Sequence, residues 1–225
     1  MFRDLRNSFD FFIRNNTQIS RKNFIEKDLT KIERNRLENL YINDVLEKSF
    51  TPKKYKKIEV LDIGSKNWFY AKAEYIFFKN IAEEFFIDGV EIDAYRLYSN
   101  FYSRYEVAKY YTKNLEGMNY IPGNLLDINK KYDYITWFLP FVFEYPHKYW
   151  GLPKKYFYPE KLLSHAYSLL KEDGEMLIIN QGQDEAIKQK ELLDKLGILY
   201  KNLGKIKNEY YQYKYERYGY LITKN

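Results

Sequence analysis

From residue 58 onward, short apolar runs alternate with longer stretches of helical periodicity. Each apolar run is about as long as a buried strand. Because this alternation is typical of a parallel sheet covered by helices, it predicts an α/β domain. The predicted strands span residues 58–63, 86–92, 119–122, 134–139 and 175–180, and the predicted helices span residues 70–84, 94–115, 159–171 and 184–196.

Residues near the ends of these segments support the predicted boundaries. Pro159 suits a first helical turn, and Gly197 suits the position just past a helix end. Asp184 is expected to cap the free amides of the last helix. Residues 198–223 are predicted to form two further strands, joined by a tyrosine-rich turn around residues 208–215.

The first 52 residues have a different pattern. Between residues 23 and 48, apolar positions recur at spacings near three and four among many charges, which predicts an amphipathic helix. Pro52 marks its end. We therefore predict a helical extension over residues 1–52, followed by a single domain over residues 53–225.

The composition excludes several classes of protein. The chain has no cysteine, so it forms no disulfide framework, thiolate zinc site or cysteine nucleophile. No run approaches the roughly 20 apolar residues of a membrane span. The charged first residues also lack the apolar core of a signal peptide, so we expect a cytoplasmic protein with no membrane partner.

The formal net charge of +6 is enough to attract polyanions such as RNA. The densest basic run is Lys-Lys-Tyr-Lys-Lys at residues 53–57. This run directly precedes the first predicted strand, a position more typical of a solvated linker than of a nucleic-acid site.

Two residues at predicted strand ends indicate a nucleotide site. Gly64 follows the first strand and permits the close approach of a ligand to the backbone. Glu91 ends the second strand, where a carboxylate suits the two adjacent hydroxyls of a ribose. The interval of 27 positions between them exceeds the roughly 20 of the dinucleotide fingerprint, which weakens an NAD interpretation.

At these residues the chain resembles the class I S-adenosylmethionine-dependent methyltransferases, over about residues 58–223. The resemblance implies a Rossmann-like, seven-stranded, mostly parallel sheet with helices on both faces and an antiparallel C-terminal strand. It also implies S-adenosylmethionine as the cofactor. Its four motifs, in order, are residues 61–64 (Leu-Asp-Ile-Gly), 89–93 (Gly-Val-Glu-Ile-Asp), 123–127 (Gly-Asn-Leu-Leu-Asp) and 169–175 (Leu-Leu-Lys-Glu-Asp-Gly-Glu).

The same resemblance assigns roles around the cofactor. It places Asp62 and Gly64 at the methionine end, Glu91 on the ribose hydroxyls, and the adenine near Asn124 or Asp127. The full set of residues expected around the cofactor is Asp62, Gly64, Ser65, Asn67, Glu91, Asn124, Asp127 and Trp137.

The first motif departs from the family pattern. Further glycines are usual where this chain has Ser65, Lys66 and Asn67. Because asparagine tolerates left-handed backbone angles better than most residues, Asn67 is expected to replace them. Trp68 is expected to add bulk beside the site.

The segment after the fourth predicted strand is where the family places its substrate-facing loop, and here it is aromatic. Its rings either wall an acceptor site or pack between sheet and helix. His147 and Glu144 are the candidate general bases, and no metal ligand is predicted. The residues expected to contact the acceptor are Phe138, Pro140, Phe141, Trp150, Asn180 and Gln181.

Three functions are compatible with these features. Methyl transfer to a small molecule is favoured by the compact chain and the aromatic loop. Transfer to RNA or another polyanion is suggested by the positive charge. A non-catalytic cofactor-binding or interaction module is suggested by the altered glycine loop. The sequence specifies neither the acceptor nor an oligomeric state.

Overall fold

The computed structural model describes residues 32–51 and 53–224. Its strands are β1 Tyr55–Ile63, β2 Ala82–Glu91, β3 Met118–Pro122, β4 Tyr132–Phe138, β5 Leu170–Gln181, β6 Lys201–Lys205 and β7 Arg217–Thr223. They form one sheet in the order β3-β2-β1-β4-β5-β7-β6. The first five strands are parallel, and β7 runs antiparallel to both β5 and β6. This topology confirms the predicted fold class.

Helices cover both faces of the sheet. They are α1 Ile32–Ser49, α2 Ala71–Ile81, α3 Arg104–Thr112, α4 Glu144–Tyr149, α5 Pro159–Leu169 and α6 Gly182–Lys195. Because side chains alternate along a strand, Val60 belongs to the apolar cluster beneath α1 and α2, whereas Leu61 belongs to the cluster beneath α5 and α6.

Two strands begin several residues earlier than predicted, and the helices before them end earlier. In β2, Ala82 already lies opposite Tyr55 and Glu84 lies opposite Lys57. In β5, Leu170 lies opposite Tyr132 of β4. Pairing with a neighbouring strand extends these elements through residues whose own pattern does not indicate a strand.

The predicted helix over residues 94–115 is wrong in its first half. Residues 94–103 form turns and one isolated bridge, and α3 begins only at Arg104. Its start is fixed by a capping box, in which the Ser103 hydroxyl accepts from the Glu106 amide and the Glu106 carboxylate accepts from the Ser103 amide. This signal sets the boundary more strongly than the apolar spacing does.

The predicted cap at Asp184 is also wrong. Helix α6 begins at Gly182, with Gln181 at the capping position, so Asp184 lies inside the first turn. The backbone amide of Gln181 instead donates to the carboxylate of Glu185 at 2.9 Å.

Helix α1 is the described part of the predicted N-terminal extension, and it is fastened to the start of α2. The amide of Asn39 donates to the carbonyl of Phe69 at 3.0 Å and accepts from the backbone amide of Ala73 at 3.1 Å. The predicted helical residues 23–31, and Pro52, lie outside the described residues. The division of the chain at residue 52 stays a prediction.

The connection between β3 and β4 is short. Within the described chain it contains one short 3₁₀ turn, Leu125–Asp127, where a doubly wound sheet commonly has a helix. The carboxyl ends of the parallel strands meet at a single edge, and the functional site lies there.

Candidate functional site

A cavity of about 830 Å³ opens at the carboxyl edge of the sheet, within the usual range for small-molecule sites. The predicted site residues that line it are Gly64, Asn67, Glu91, Asn124, Trp137, Phe138, Pro140, Phe141, His147, Trp150 and Gln181. The predicted site residues outside the described lining are Asp62, Ser65, Asp127, Glu144 and Asn180.

The loop after β1 reaches its shape through three left-handed residues. Gly64 has a φ of 74°, Lys66 of 54° and Trp68 of 47°. The expectation that Asn67 would adopt this conformation is therefore wrong. No heavy atom of the described structure lies within 4 Å of a Cβ built on Gly64, so its backbone faces open space in the cavity.

Trp68 does not add bulk beside the cavity, contrary to the prediction. Its side chain is fully buried, and its indole N–H donates to the Glu74 carboxyl at 2.8 Å. The ring passes over β2 so closely that a Cβ on Gly89 would lie 2.8 Å from it. A glycine on the neighbouring strand thus provides the room that this large side chain requires.

Two buried carboxyl groups beneath the loop share one hydroxyl group. The Oγ1 of Thr136 lies 3.1 Å from Asp62 and 2.8 Å from Glu74. Burial raises the pKa of Asp62 to about 6 and raises the pKa of Glu74 well above its ordinary value. A hydroxyl has one proton to donate. We infer that a protonated Glu74 donates to Thr136, which in turn donates to Asp62.

This network places Asp62 behind the cavity wall. Asp62 accepts a hydrogen bond of 2.8 Å from the hydroxyl of Tyr70, which itself lines the cavity. The buried hydroxyl of Ser65 donates to the backbone carbonyl of Asp62 at 3.1 Å. Both predicted residues therefore shape the loop from inside and do not face the ligand space.

Glu91 occupies the position expected of it at the end of β2. Its carboxylate accepts from the backbone amides of Lys66 and Asp93, each at 2.8 Å, and lies 3.6 Å from the guanidinium of Arg104. Burial raises the pKa of Glu91, while these amides and Arg104 oppose the rise. The next residue, Ile92, also lines the cavity, although the sequence analysis assigned it no role.

The two candidates for the adenine side differ in position. Asn124 lines the cavity, and its amide donates to the hydroxyl of Tyr158 at 3.0 Å. Gly123, beside it, has no described heavy atom within 4 Å of a Cβ built on it. Asp127 is exposed at the end of the 3₁₀ turn.

The aromatic segment after β4 forms one wall of the cavity. Phe138 packs edge-on against Tyr70, and Phe141 packs edge-on against His147. The ring of Trp150 is 5.0 Å from the ammonium of Lys66 and 5.0 Å from the guanidinium carbon of Arg104. Trp150 thus reaches across to the loop that follows β1 and to the first residue of α3.

The remaining predicted residues have distinct surroundings. Glu144 pairs with Lys148 at 2.8 Å and Lys154 at 3.3 Å, and these bonds lower its pKa. Asn180 is fully buried in β5, and neither polar atom of its side chain has a hydrogen-bond partner among the described residues.

A second wall, contributed by α1, by the segment before β7 and by the first residue of β7, was absent from the predicted site. Glu38 is almost fully buried and pairs with Arg34 at 3.3 Å, and burial raises its pKa. Burial likewise raises the pKa of Tyr41 to about 12. The guanidinium of Arg217 lies 4.2 Å from the centre of the Tyr213 ring. Tertiary packing brings these residues together from distant segments, so no local sequence signal marks them.

No protein-family model and no curated protein sequence matches the chain. Among solved structures, an S-adenosylmethionine-dependent methyltransferase from Aquifex aeolicus aligns with 88% of this chain and 97% of its own, at 16% identity and a TM-score of 0.59. The fold is that of a class I methyltransferase. A methyltransferase from Pyrococcus furiosus (18% identity, 80% and 79% coverage, TM-score 0.54) and a precorrin-6y C5,15-methyltransferase from Geobacter metallireducens (14%, 81% and 87%, 0.53) share it.

Two general findings accompany this methyltransferase fold. Within residues 32–51 and 53–224, no helix is both long and apolar enough to cross a lipid bilayer. Over the same ranges, no group of three His, Asp or Glu side chains converges so as to hold a metal ion.

Proposed function

We propose that this chain binds S-adenosylmethionine at the carboxyl ends of β1, β2 and β3 and transfers its methyl group to a small molecule. The buried carboxylate of Glu91 carries the proposal. Each of its oxygens accepts one backbone N–H, and a carboxylate oxygen can accept a second donor. Two adjacent acceptors with spare capacity suit the neighbouring hydroxyls of a ribose.

The rest of this edge fits a nucleoside with an amino-acid tail. The bare backbones of Gly64 and Gly123 leave open space where side chains would otherwise project. Ile92 offers an apolar surface next to Glu91. The buried Oδ1 of Asn67, which has no partner in the described structure, supplies a free acceptor for an ammonium or hydroxyl group.

S-adenosylmethionine supplies a methyl group that is electrophilic because it is bonded to a sulfonium sulfur. The task left to the chain is to hold an acceptor atom in line with that group and to exclude water. The apolar side chains of Trp137, Phe138 and Phe141 line the cavity and suit both tasks.

The position of the basic run favours a small-molecule acceptor over RNA. Residues 53–57 lie at the amino end of β1, whereas the cavity lies at its carboxyl end. A nine-residue strand spans roughly 30 Å. The Lys57 ammonium in this run is also paired with Glu84 at 3.3 Å. The densest positive charge is therefore remote from the site, and the volume of the cavity suits a small ligand.

Replacement of Glu91 by alanine is expected to weaken S-adenosylmethionine binding about tenfold to hundredfold. The reason is that hydrogen bonds to a charged acceptor contribute about 1.5–3 kcal/mol each. The measurement is isothermal titration calorimetry with S-adenosylmethionine and S-adenosylhomocysteine. Glu83→Ala, which removes an exposed carboxylate from the amino end of the same strand, is the matched control and should bind normally.

Unchanged affinity in a folded Glu91→Ala protein would contradict the proposed cofactor site. Thermal unfolding of both variants verifies that they are folded. A non-catalytic binding module would bind the cofactor yet form no S-adenosylhomocysteine with any acceptor, whereas the proposed enzyme forms it in proportion to the methylated product.

A further inference from the structure

The cavity extends beyond the cofactor-binding edge into the space between α4, α5 and α6. We call this part the inner lobe and define it by the apolar residues Val142, Phe157, Leu162, Leu163 and Leu192, which line it. Val142, Leu163 and Leu192 belong to one buried apolar cluster, and Leu162 packs against that cluster. The walls of the inner lobe therefore suit an apolar ligand.

Two buried polar side chains in the cavity lining beside these residues lack partners. Gln189 on α6 is 2% exposed, and its Nε2 has no hydrogen-bond partner among the described residues. His147 on α4 is 3% exposed, and its Nδ1 is likewise unpaired in the described chain. Buried polar atoms are rarely left unsatisfied, so both atoms can bond a polar group that a ligand brings into the cavity.

A third amide lies on the same side of the sheet. Because strand side chains alternate, Asn180 shares a face of β5 with Ile178, which belongs to the cluster beneath α5 and α6. Its Nδ2 and Oδ1 both lack partners in the described structure. The unpartnered side-chain atoms of Asn180 therefore lie on the same side of the sheet as the inner lobe.

These polar groups are uncharged, and this limits the ligand chemistry. Burial lowers the pKa of His147, so its imidazole is neutral near pH 7 and one ring nitrogen can accept a proton. Gln189 can donate N–H to an oxygen. Glu185, one turn earlier on α6, already accepts a hydrogen bond from the backbone amide of Gln181. A hydroxyl group offers both an oxygen that can accept from the Gln189 amide and a proton that can pass to a neutral imidazole.

We propose that the inner lobe binds the methyl acceptor, and that this acceptor is an uncharged, largely apolar molecule with a phenolic hydroxyl. This inference rests on the proposed function. A phenol matches the apolar walls, and its proton, with a pKa of about 10, is within reach of an imidazole base. An aliphatic alcohol holds its proton too firmly for the same transfer.

The transfer is balanced in atoms and charge. An oxygen lone pair of the phenol forms the new O–CH₃ bond, the electron pair of the broken S–CH₃ bond stays on sulfur, and the hydroxyl proton passes to His147. The imidazolium then releases this proton to solvent. Gln189 holds the oxygen through its N–H, and His147 acts as the catalytic base.

Binding of matched probes tests the inner lobe directly. Phenol, toluene and benzoate are titrated by ligand-observed NMR, with and without S-adenosylhomocysteine. We expect phenol to bind at least about tenfold more tightly than toluene, because its hydroxyl adds one hydrogen bond to Gln189 and one to His147. Benzoate should bind at least about tenfold more weakly than phenol, because its charge would be desolvated. In Gln189→Leu, phenol should keep only the part of its advantage over toluene that comes from the hydrogen bond to His147.

The rate of methyl transfer tests whether His147 is the catalytic base. In His147→Asn, anisole formation from phenol should fall about 100-fold, while the affinity for phenol changes less than about threefold. His165→Asn changes the other histidine, which lies outside the cavity lining, and should leave the rate unchanged. In the unsubstituted protein the rate should rise with pH through the pKa of His147, which burial holds below that of a free imidazole. Glu144 on α4 is the one described charge that shifts His147, and Lys148 and Lys154 partly neutralise it.

The outcomes separate this inference from the proposed function. If S-adenosylmethionine binds but phenol binds no better than toluene, or benzoate binds best, or no probe binds at millimolar concentration, the inference is overturned and the cofactor site stands. A normal rate in His147→Asn overturns the role of the base. Absence of S-adenosylmethionine binding in the unsubstituted protein overturns the proposed function itself.

Discussion

Replacement of Gly89 by alanine is expected to lower the free energy of unfolding by about 3 kcal/mol, the upper end of the usual cost of overpacking. The added Cβ would lie 2.8 Å from the Trp68 indole and 2.7 Å from the Ser65 hydroxyl. The Trp68 indole cannot move away freely, because it is fully buried and bonded to Glu74. The buried Ser65 hydroxyl is likewise held by its hydrogen bond to the Asp62 carbonyl. Displacement of the loop should also weaken cofactor binding.

Urea unfolding followed by circular dichroism measures this effect, and calorimetry measures the accompanying loss of S-adenosylmethionine affinity. Gly123→Ala is the matched control for stability, because a Cβ at this position meets no described heavy atom within 4 Å. Its free energy of unfolding should change by less than about 0.5 kcal/mol. Equal effects of the two substitutions would show that Trp68 does not restrict position 89.

A double variant sharpens the test. Trp68→Leu is itself destabilising, because it removes a large buried side chain and the hydrogen bond to Glu74. It also empties the space above Gly89. In this background Gly89→Ala should therefore lower the free energy of unfolding by a smaller amount. Simple additivity of the two free energies would contradict the packing that we describe.

Replacement of Thr136 by valine is the second large expected effect, at about 3 kcal/mol of lost stability. Valine keeps the shape of the side chain but removes the one hydroxyl that joins Asp62 to Glu74. Two fully buried carboxyl groups then lose a hydrogen-bond partner, and each such loss is costly. Urea unfolding at pH 7 measures the change.

Glu74→Gln is the control for this network, and the pH dependence of the free energy of unfolding gives a second test of it. The glutamine amide can donate to Thr136 and its carbonyl can accept from Trp68, so stability at pH 7 should not fall. Burial raises the pKa of both carboxyls, so the native state binds more protons than the unfolded chain above about pH 4. Stability therefore falls as the pH rises through about 6. This decline should be weaker in Glu74→Gln, and an unchanged decline would contradict the inferred proton on Glu74.

The sequence predicts the succession of strands along the chain and the residues at their carboxyl ends, because both depend on local pattern. Gly64, Glu91 and Asn124 accordingly line the cavity. The ends of the helices and strands are harder to predict from the sequence. The amino ends of β2 and β5 are held by pairing with β1 and β4, which no property of their own residues reveals.

The parts of the site that were missed depend on distant packing. Trp68 turns inward because Gly89, on another strand, leaves room for it. Glu38 and Gln189 reach the cavity from α1 and α6, on opposite faces of the sheet. In isolation each reads as an ordinary polar position on an amphipathic helix, and its burial follows only from the assembled fold.

The contact of Trp150 with two cations also has an optical consequence. The chain has three tryptophans, and Trp68 and Trp137 are both buried in the apolar clusters. Trp150 alone among them touches Lys66 and Arg104, beside the carboxylate proposed to hold the ribose. Indole emission responds to nearby charge, and a ligand at this edge would alter the field around the ring. The protein thus carries an intrinsic fluorophore in the wall of its own site.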